Sequence, residues 1–101
     1  MAKIIWTLTA AEDFSEIVEY IARDKPDAAA NFARTLLASI DQLEQFPHKG
    51  RPVPEFPKSQ YREVILAPCR VIYRPLPDAV EIIRVIRGER LLRTELLPHP
   101  N

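Results

Sequence analysis

Glycine, cysteine, histidine and long apolar runs are all scarce in this chain. Its 101 residues hold two glycines, one cysteine and two histidines. The lone Cys69 excludes an internal disulfide, and its place inside an apolar run predicts a buried, inert thiol rather than a nucleophile. His48 has no second His, Cys or carboxylate at metal-ligand spacing, so neither a metal site nor a cofactor is expected. No stretch approaches the roughly 20 apolar residues of a membrane span. The apolar run at residues 3–8 is too short for a secretory signal. Together these absences lead to the expectation of a soluble, cytoplasmic protein without membrane contact.

What is plentiful is proline and arginine. Ten of the 14 basic residues are arginine, the side chain suited to bidentate contact with phosphate or carboxylate. Net charge is zero, yet it is unevenly spread. Residues 1–48 carry 4 basic and 8 acidic groups, and residues 49–101 carry 10 basic and 6 acidic groups. A basic half is the expected footprint of a phosphate-bearing or acidic partner. Arg62, Arg70, Arg74, Arg84, Arg87 and Arg90 all fall among the apolar runs of residues 61–90, where a purely structural sheet favours Thr, Ser or Glu.

Hydrophobic periodicity predicts an α+β fold of one domain. Residues 3–8 (KIIWTL) read as a first strand. Thr9 and Glu12 have capping-box spacing, which predicts a helix beginning at Ala10. Phe14, Ile17, Val18 and Ile21 then give it one apolar face. Pro26 separates it from a second helix carrying Ala29, Phe32, Ala33, Leu36, Ile40 and Leu43, and so short a link predicts an antiparallel helical hairpin. Residues 47–57 hold four prolines and one glycine and read as a stiff loop, on which Arg51 and Glu55 stand out as functional candidates. Strands follow at 62–66, 70–74 and 80–87, joined by turns at Ala67-Pro68 and at residues 75–78. They form a three-stranded antiparallel meander in a small twisted sheet with the helices packed on one face. Strict alternation puts Ile83, Val85 and Arg87 on one face of the last strand, and Ile82, Arg84 and Ile86 on the other. The face away from the helices is expected to be a shallow, arginine-lined surface. Residues 89–97 fit a helical turn or a strand equally well.

Several features in this order resemble the RelE/ParE superfamily of bacterial type II toxins. They are Trp6 in the first strand, the Pro26-Asp27-Ala28-Ala29 start of the second helix with Phe32, and Gly50-Arg51 with Val53-Pro54-Glu55. Arg62-Glu63, Arg70-Val71-Ile72-Tyr73 and residues 85–90 before Leu91-Leu92 complete the set. The resemblance covers nearly the whole chain and implies a toxin neutralised by a cognate antitoxin, in a hetero-oligomer, that inhibits growth when freed. Two kinds of target occur in the superfamily. RelE-like members cut mRNA on the ribosome without a metal, and ParE-like members bind and poison DNA gyrase.

For a nuclease, Glu55 would be the base, and Arg70 and Arg90 would flank the phosphorane. For either target, Arg51, Arg62, Arg74, Arg84 and Arg87 would supply binding contacts. Cleavage through the 2′-hydroxyl also needs a proton donor. Where similar nucleases carry His or Tyr near the end of the last strand, this chain has Arg87 and Arg90, and a guanidinium with a pKa above ~12 donates poorly. Tyr73 shares a face with Val71, which predicts a core tyrosine. The gyrase reading is therefore favoured, with two alternatives: the ribosome-dependent nuclease, or a catalytically inactive member acting only by binding. Replacing Arg70 or Arg90 by alanine is expected to relieve toxicity and leave the fold intact.

Overall fold

Thr7, not Thr9, starts the first helix. The structure, a computed structural model, describes residues 2–88 and 97. Strand β1 (Lys3–Trp6) ends at Thr7, whose extended backbone and side-chain oxygen cap α1 (Leu8–Ala22) by accepting from the Ala10 amide at 3.0 Å. The same hydroxyl donates to the Ile83 carbonyl at 3.1 Å. One residue thus satisfies an orphan helix donor and ties the helix to a distant strand. Thr9 has the spacing of a cap but lies in the first helical turn.

Pro26 at the first position opens α2 (Pro26–Asp41), which runs into a 3₁₀ turn at Gln42–Glu44. Strands β2 (Arg51–Pro52), β3 (Arg62–Leu66), β4 (Cys69–Pro75) and β5 (Ala79–Arg87) follow. They form one five-stranded sheet in the order β1-β5-β4-β3-β2. The expected meander is β3-β4-β5. Strand β2 extends it antiparallel to β3, and β1 pairs parallel with β5, making the sheet mixed. Parallel pairing of β1 with β5 is made possible by the helical hairpin between them, which carries the chain back across the sheet.

Ala10 of α1 and Leu36 and Ile40 of α2 pack with Val71, Tyr73, Val80, Ile82 and Val85 of the sheet to form the main core. Trp6 lies against Phe14 with ring centroids 5.6 Å apart, joining β1 to α1. The other face is a second apolar core rather than an arginine-lined surface. Val53, Tyr61, Ile72, Ile83, Ile86 and Leu97 cluster there, with Phe56 packed against them. The loop 53–61 therefore covers this face.

Alternation in β5 breaks at Ile83. Ile72 pairs with Arg84 but Tyr73 pairs with Ile82, so Ile83 is an extra residue. Such a bulge resets the side-chain phase, which is why Ile82 and Val85 share the helix side while Ile83 and Ile86 share the other. The polar groups of the bulge are met by side chains. Thr7 takes the Ile83 carbonyl, and the Asp13 carboxylate accepts from the Val85 amide at 3.0 Å. Among the described residues no helix is long and apolar enough to cross a membrane. The expected C-terminal element at 89–97 lies outside the described residues except for Leu97.

Candidate functional site

Two arginines and two glutamates from four different segments meet at one end of the second face. Arg70 is the second residue of β4 and Glu63 stands on β3, near neighbours because Ile65 pairs with Arg70 and Glu63 with Ile72. Arg51 is brought in by β2, which pairs it with Glu63, and Glu55 comes from the proline-rich loop. Glu63 is 1% exposed and Arg70 is 7% exposed, so both charges need partners. Arg70 Nε donates to Glu63 Oε1 at 2.7 Å, and Arg51 Nε donates to Glu63 Oε2 at 2.7 Å. The Arg70 Nη1 and Nη2 groups donate to the two oxygens of Glu55 at 2.8 and 2.7 Å. The Glu55 hydrogen bonds are the main reason the Arg70 guanidinium is held above its ordinary pKa. Burial opposes them and Glu63 adds to them. Arg51, Glu55 and Arg70 border an open cleft of about 700 Å³ whose walls include Pro54, Ile65 and Pro68.

Of the residues expected to act, Arg51, Glu55 and Arg70 are therefore gathered into one site. The other arginines are not. Arg62 donates to the Gly50 carbonyl at 2.6 Å and fastens the loop to β3. Arg74 pairs with Glu81 across β4 and β5. Arg84 forks onto Asp13 of α1 through Nε and Nη2 at 2.7 and 2.9 Å. Arg87 is exposed, with its guanidinium carbon 5.9 Å from the Tyr20 ring centroid. That contact sits beside a smaller groove between α1 and β5. Arg90 lies outside the described residues.

Arg51, Arg70, Arg74 and Arg84 do recognise anions, and the anions they meet here are the chain's own carboxylates. Glu63 and Asp13 carry as much of this chemistry as the arginines, and neither stands out in the sequence as a site residue. The available signal is weak: a glutamate in a strand otherwise reading as half-buried. Tyr73 is a core residue, as its alternation predicts, and its hydroxyl accepts from the Gly50 amide at 2.8 Å. Burial raises its pKa, with the Gly50 hydrogen bond acting the other way. His48 borders a separate cavity with Pro47, Pro75 and Pro77. Among the described residues no three His, Cys, Asp or Glu side chains gather where they could hold a metal ion.

A family model described as the ParE toxin of the type II toxin-antitoxin system, parDE, matches residues 4–92. The chain belongs to the ParE toxin family. It is accordingly a type II toxin of the RelE/ParE superfamily. Toxin RelE2 of Caulobacter vibrioides is 33% identical over 92 residues, covering 90% of this chain and all of the relative. Y4kP of Sinorhizobium fredii is 37% identical over 90 residues, covering 87% of this chain and 90% of its own. The ParE-family fold is found again in a solved structure of a chromosomal ParDE toxin-antitoxin system from P. aeruginosa. That match has a TM-score of 0.76 and 23% identity, and covers 88% of this chain and 98% of the other.

Proposed function

We propose that this ParE-family toxin acts by binding rather than by cleavage, with DNA gyrase as its target and a cognate antitoxin as the partner that restrains it in the cytoplasm. The observation that carries this reading is the closed ion-pair network of the cleft. Metal-independent RNA cleavage needs a base, a proton donor and cations over the phosphorane. Both Arg70 forks are taken by Glu55 and Glu63, so the guanidinium faces the chain's own carboxylates and Glu55 faces a guanidinium instead of a substrate hydroxyl. Tyr73 is turned into the core and His48 borders another cavity. Neither can protonate a leaving group at this site. The antitoxin follows from membership of a family described by its type II toxin-antitoxin system and from the fold neighbour in a ParDE system.

A supercoiling assay with purified gyrase tests the reading. Inhibition at micromolar toxin is the expected result, and an unimpeded enzyme refutes it. One observation favours the ribosome-dependent nuclease instead: Arg51, Glu55 and Arg70, the residues that reading requires, do converge on one cleft. Codon-specific mRNA cuts at the ribosomal A site in a translation extract would establish it.

A further inference from the structure

Glu55 grips Arg70 with two parallel hydrogen bonds, the fork-on-fork geometry by which a guanidinium takes a free carboxylate. The two sides of that grip are anchored unequally. Arg70 is held from behind by Glu63, whose side chain is fully buried and is itself braced by Arg51. Glu55 stands on the loop at the cleft rim, with 21% of its side chain exposed. The fork is thus a fixed seat, and the carboxylate in it is the exchangeable member.

Charge and wall chemistry say what could replace Glu55. Arg51, Arg70 and Glu63 together carry one positive charge, and Glu55 cancels it. An incoming group must bring one negative charge to restore neutrality. The walls beside the fork are Pro54 and Ile65, and Ile65 is 54% exposed. A nucleic-acid backbone carries a charge at every nucleotide and needs a track of unneutralised cations. This cleft lacks such a track among its described residues. A single Asp or Glu flanked by apolar side chains fits both the fork and the walls.

We propose that the cleft is a docking site for an extended protein segment of that chemistry, whose carboxylate takes the Arg70 fork in place of Glu55. The proposal rests on the reading of this toxin as a binding protein and assigns the chemistry of a partner to its cleft. Exchange replaces one carboxylate–guanidinium pair by another, so the partner's apolar contacts decide the outcome. The largely exposed side chain of Arg51, charged at the cleft mouth, steers the acidic segment in.

The test screens the full-length toxin, wild type beside Glu55→Gln, against a displayed library of random nonapeptides and, in parallel, a pool of random single-stranded RNA. The substitution keeps the shape of the competing side chain and removes its charge. Selected peptides are expected to carry one Asp or Glu between apolar residues. Amidating that residue should weaken binding by about tenfold or more, and Glu55→Gln should bind the acidic peptides more tightly than wild type. Peptides without an acidic position, equal affinity of the two proteins, or RNA enriched instead of peptide would each overturn the proposal. Should Glu55→Gln not fold, the wild-type protein is titrated with a selected acidic peptide while the Glu55 side-chain carboxylate carbon, which leaves the Arg70 Nη groups on exchange, is followed by NMR. A shift supports exchange and a stationary resonance overturns it. A toxin that exchanges carboxylates yet leaves supercoiling untouched loses only its gyrase assignment. A gyrase inhibitor that selects no acidic peptide loses only the exchange.

Discussion

Arg70→Met removes the centre of the ion-pair network while keeping an apolar side chain of similar reach. Its cost can be worked from the groups left behind. Glu63 is fully buried and loses both contacts to its Oε1, from Nε at 2.7 Å and from Nη2 at 2.6 Å. Glu55, partly exposed, turns to water at little cost. Taking one partner from a buried pair costs about 3–5 kcal/mol. Arg51 still holds Oε2, which places the loss near the low end, about 3 kcal/mol. For a domain of this size that corresponds to a fall in Tm of about 12–24 °C. Thermal and urea unfolding followed by circular dichroism measure it. The double variant Arg70→Met with Glu63→Gln should recover part of the loss, because the orphaned group is then neutral. A loss under about 1 kcal/mol, the range of exposed pairs, or a double variant no better than the single, would refute a desolvated network. Arg70→Ala is consequently a poor test of the toxic surface, contrary to the expectation that it leaves the fold intact. Arg51→Ala is milder, because 61% of that side chain is exposed and Arg70 still holds Glu63 Oε1, although Oε2 loses its partner.

Gly50→Ala would place a Cβ 2.5 Å from the Glu63 carbonyl oxygen and 2.7 Å from the Tyr73 hydroxyl. The backbone atom cannot step aside, so a loss of about 1–3 kcal/mol is expected in urea titration, and an unchanged midpoint would contradict the packing. Tyr73 has a pKa raised above its ordinary 10.0 by burial. Its folded form holds the proton longer, so its contribution to stability is complete below pH 10 and declines as pH rises through the raised value. Tyr73→Phe should therefore flatten the fall of stability above about pH 10 relative to wild type, and parallel curves would remove Tyr73 as the cause. Asp13→Ala frees the Arg84 fork and the Val85 amide together. About 2 kcal/mol should be lost, with faster hydrogen exchange at Val85, and exchange at the wild-type rate would mean that Asp13 does not hold the bulge.

Local pattern makes much of this fold legible. The helical hairpin, the strands near 62–66, 70–74 and 80–87, and both reversals follow from apolar spacing, from Pro26 and from the Ala67-Pro68 and 75–78 turns. What escapes is long-range. No turn signal marks the pairing of β1 with β5, because their partners are far apart in sequence. The bulge hides in the doublets Ile82-Ile83 and Val85-Ile86, which put apolar residues on both faces of a strand that otherwise reads as strictly alternating. The same doublets imply a core on each side, and the second core needs the loop 53–61 as its cover. In the site, Arg51, Glu55 and Arg70 are legible from type and position. Glu63 is not legible as a partner, because its burial depends on the register between β3 and β4.

Arginine at strand positions suggests a surface built for a foreign anion, and the geometry gives most of these residues a different physical reason to be there. Arg84 clamps α1 to β5 through Asp13, Arg74 joins β4 to β5 through Glu81, and Arg70 draws the proline-rich loop onto the sheet through Glu55. Each joins two elements, and the planar fork holds its carboxylate in a fixed orientation. The split between an acidic first half and a basic second half is lessened only where an ion pair crosses it. Asp13 and Arg84 bridge the two halves directly. A partner approaching this ParE-family toxin meets a weaker field than the basic half alone implies. Arg51 and Arg87 keep exposed side chains, and of these Arg51 lies beside the fork that a carboxylate can enter.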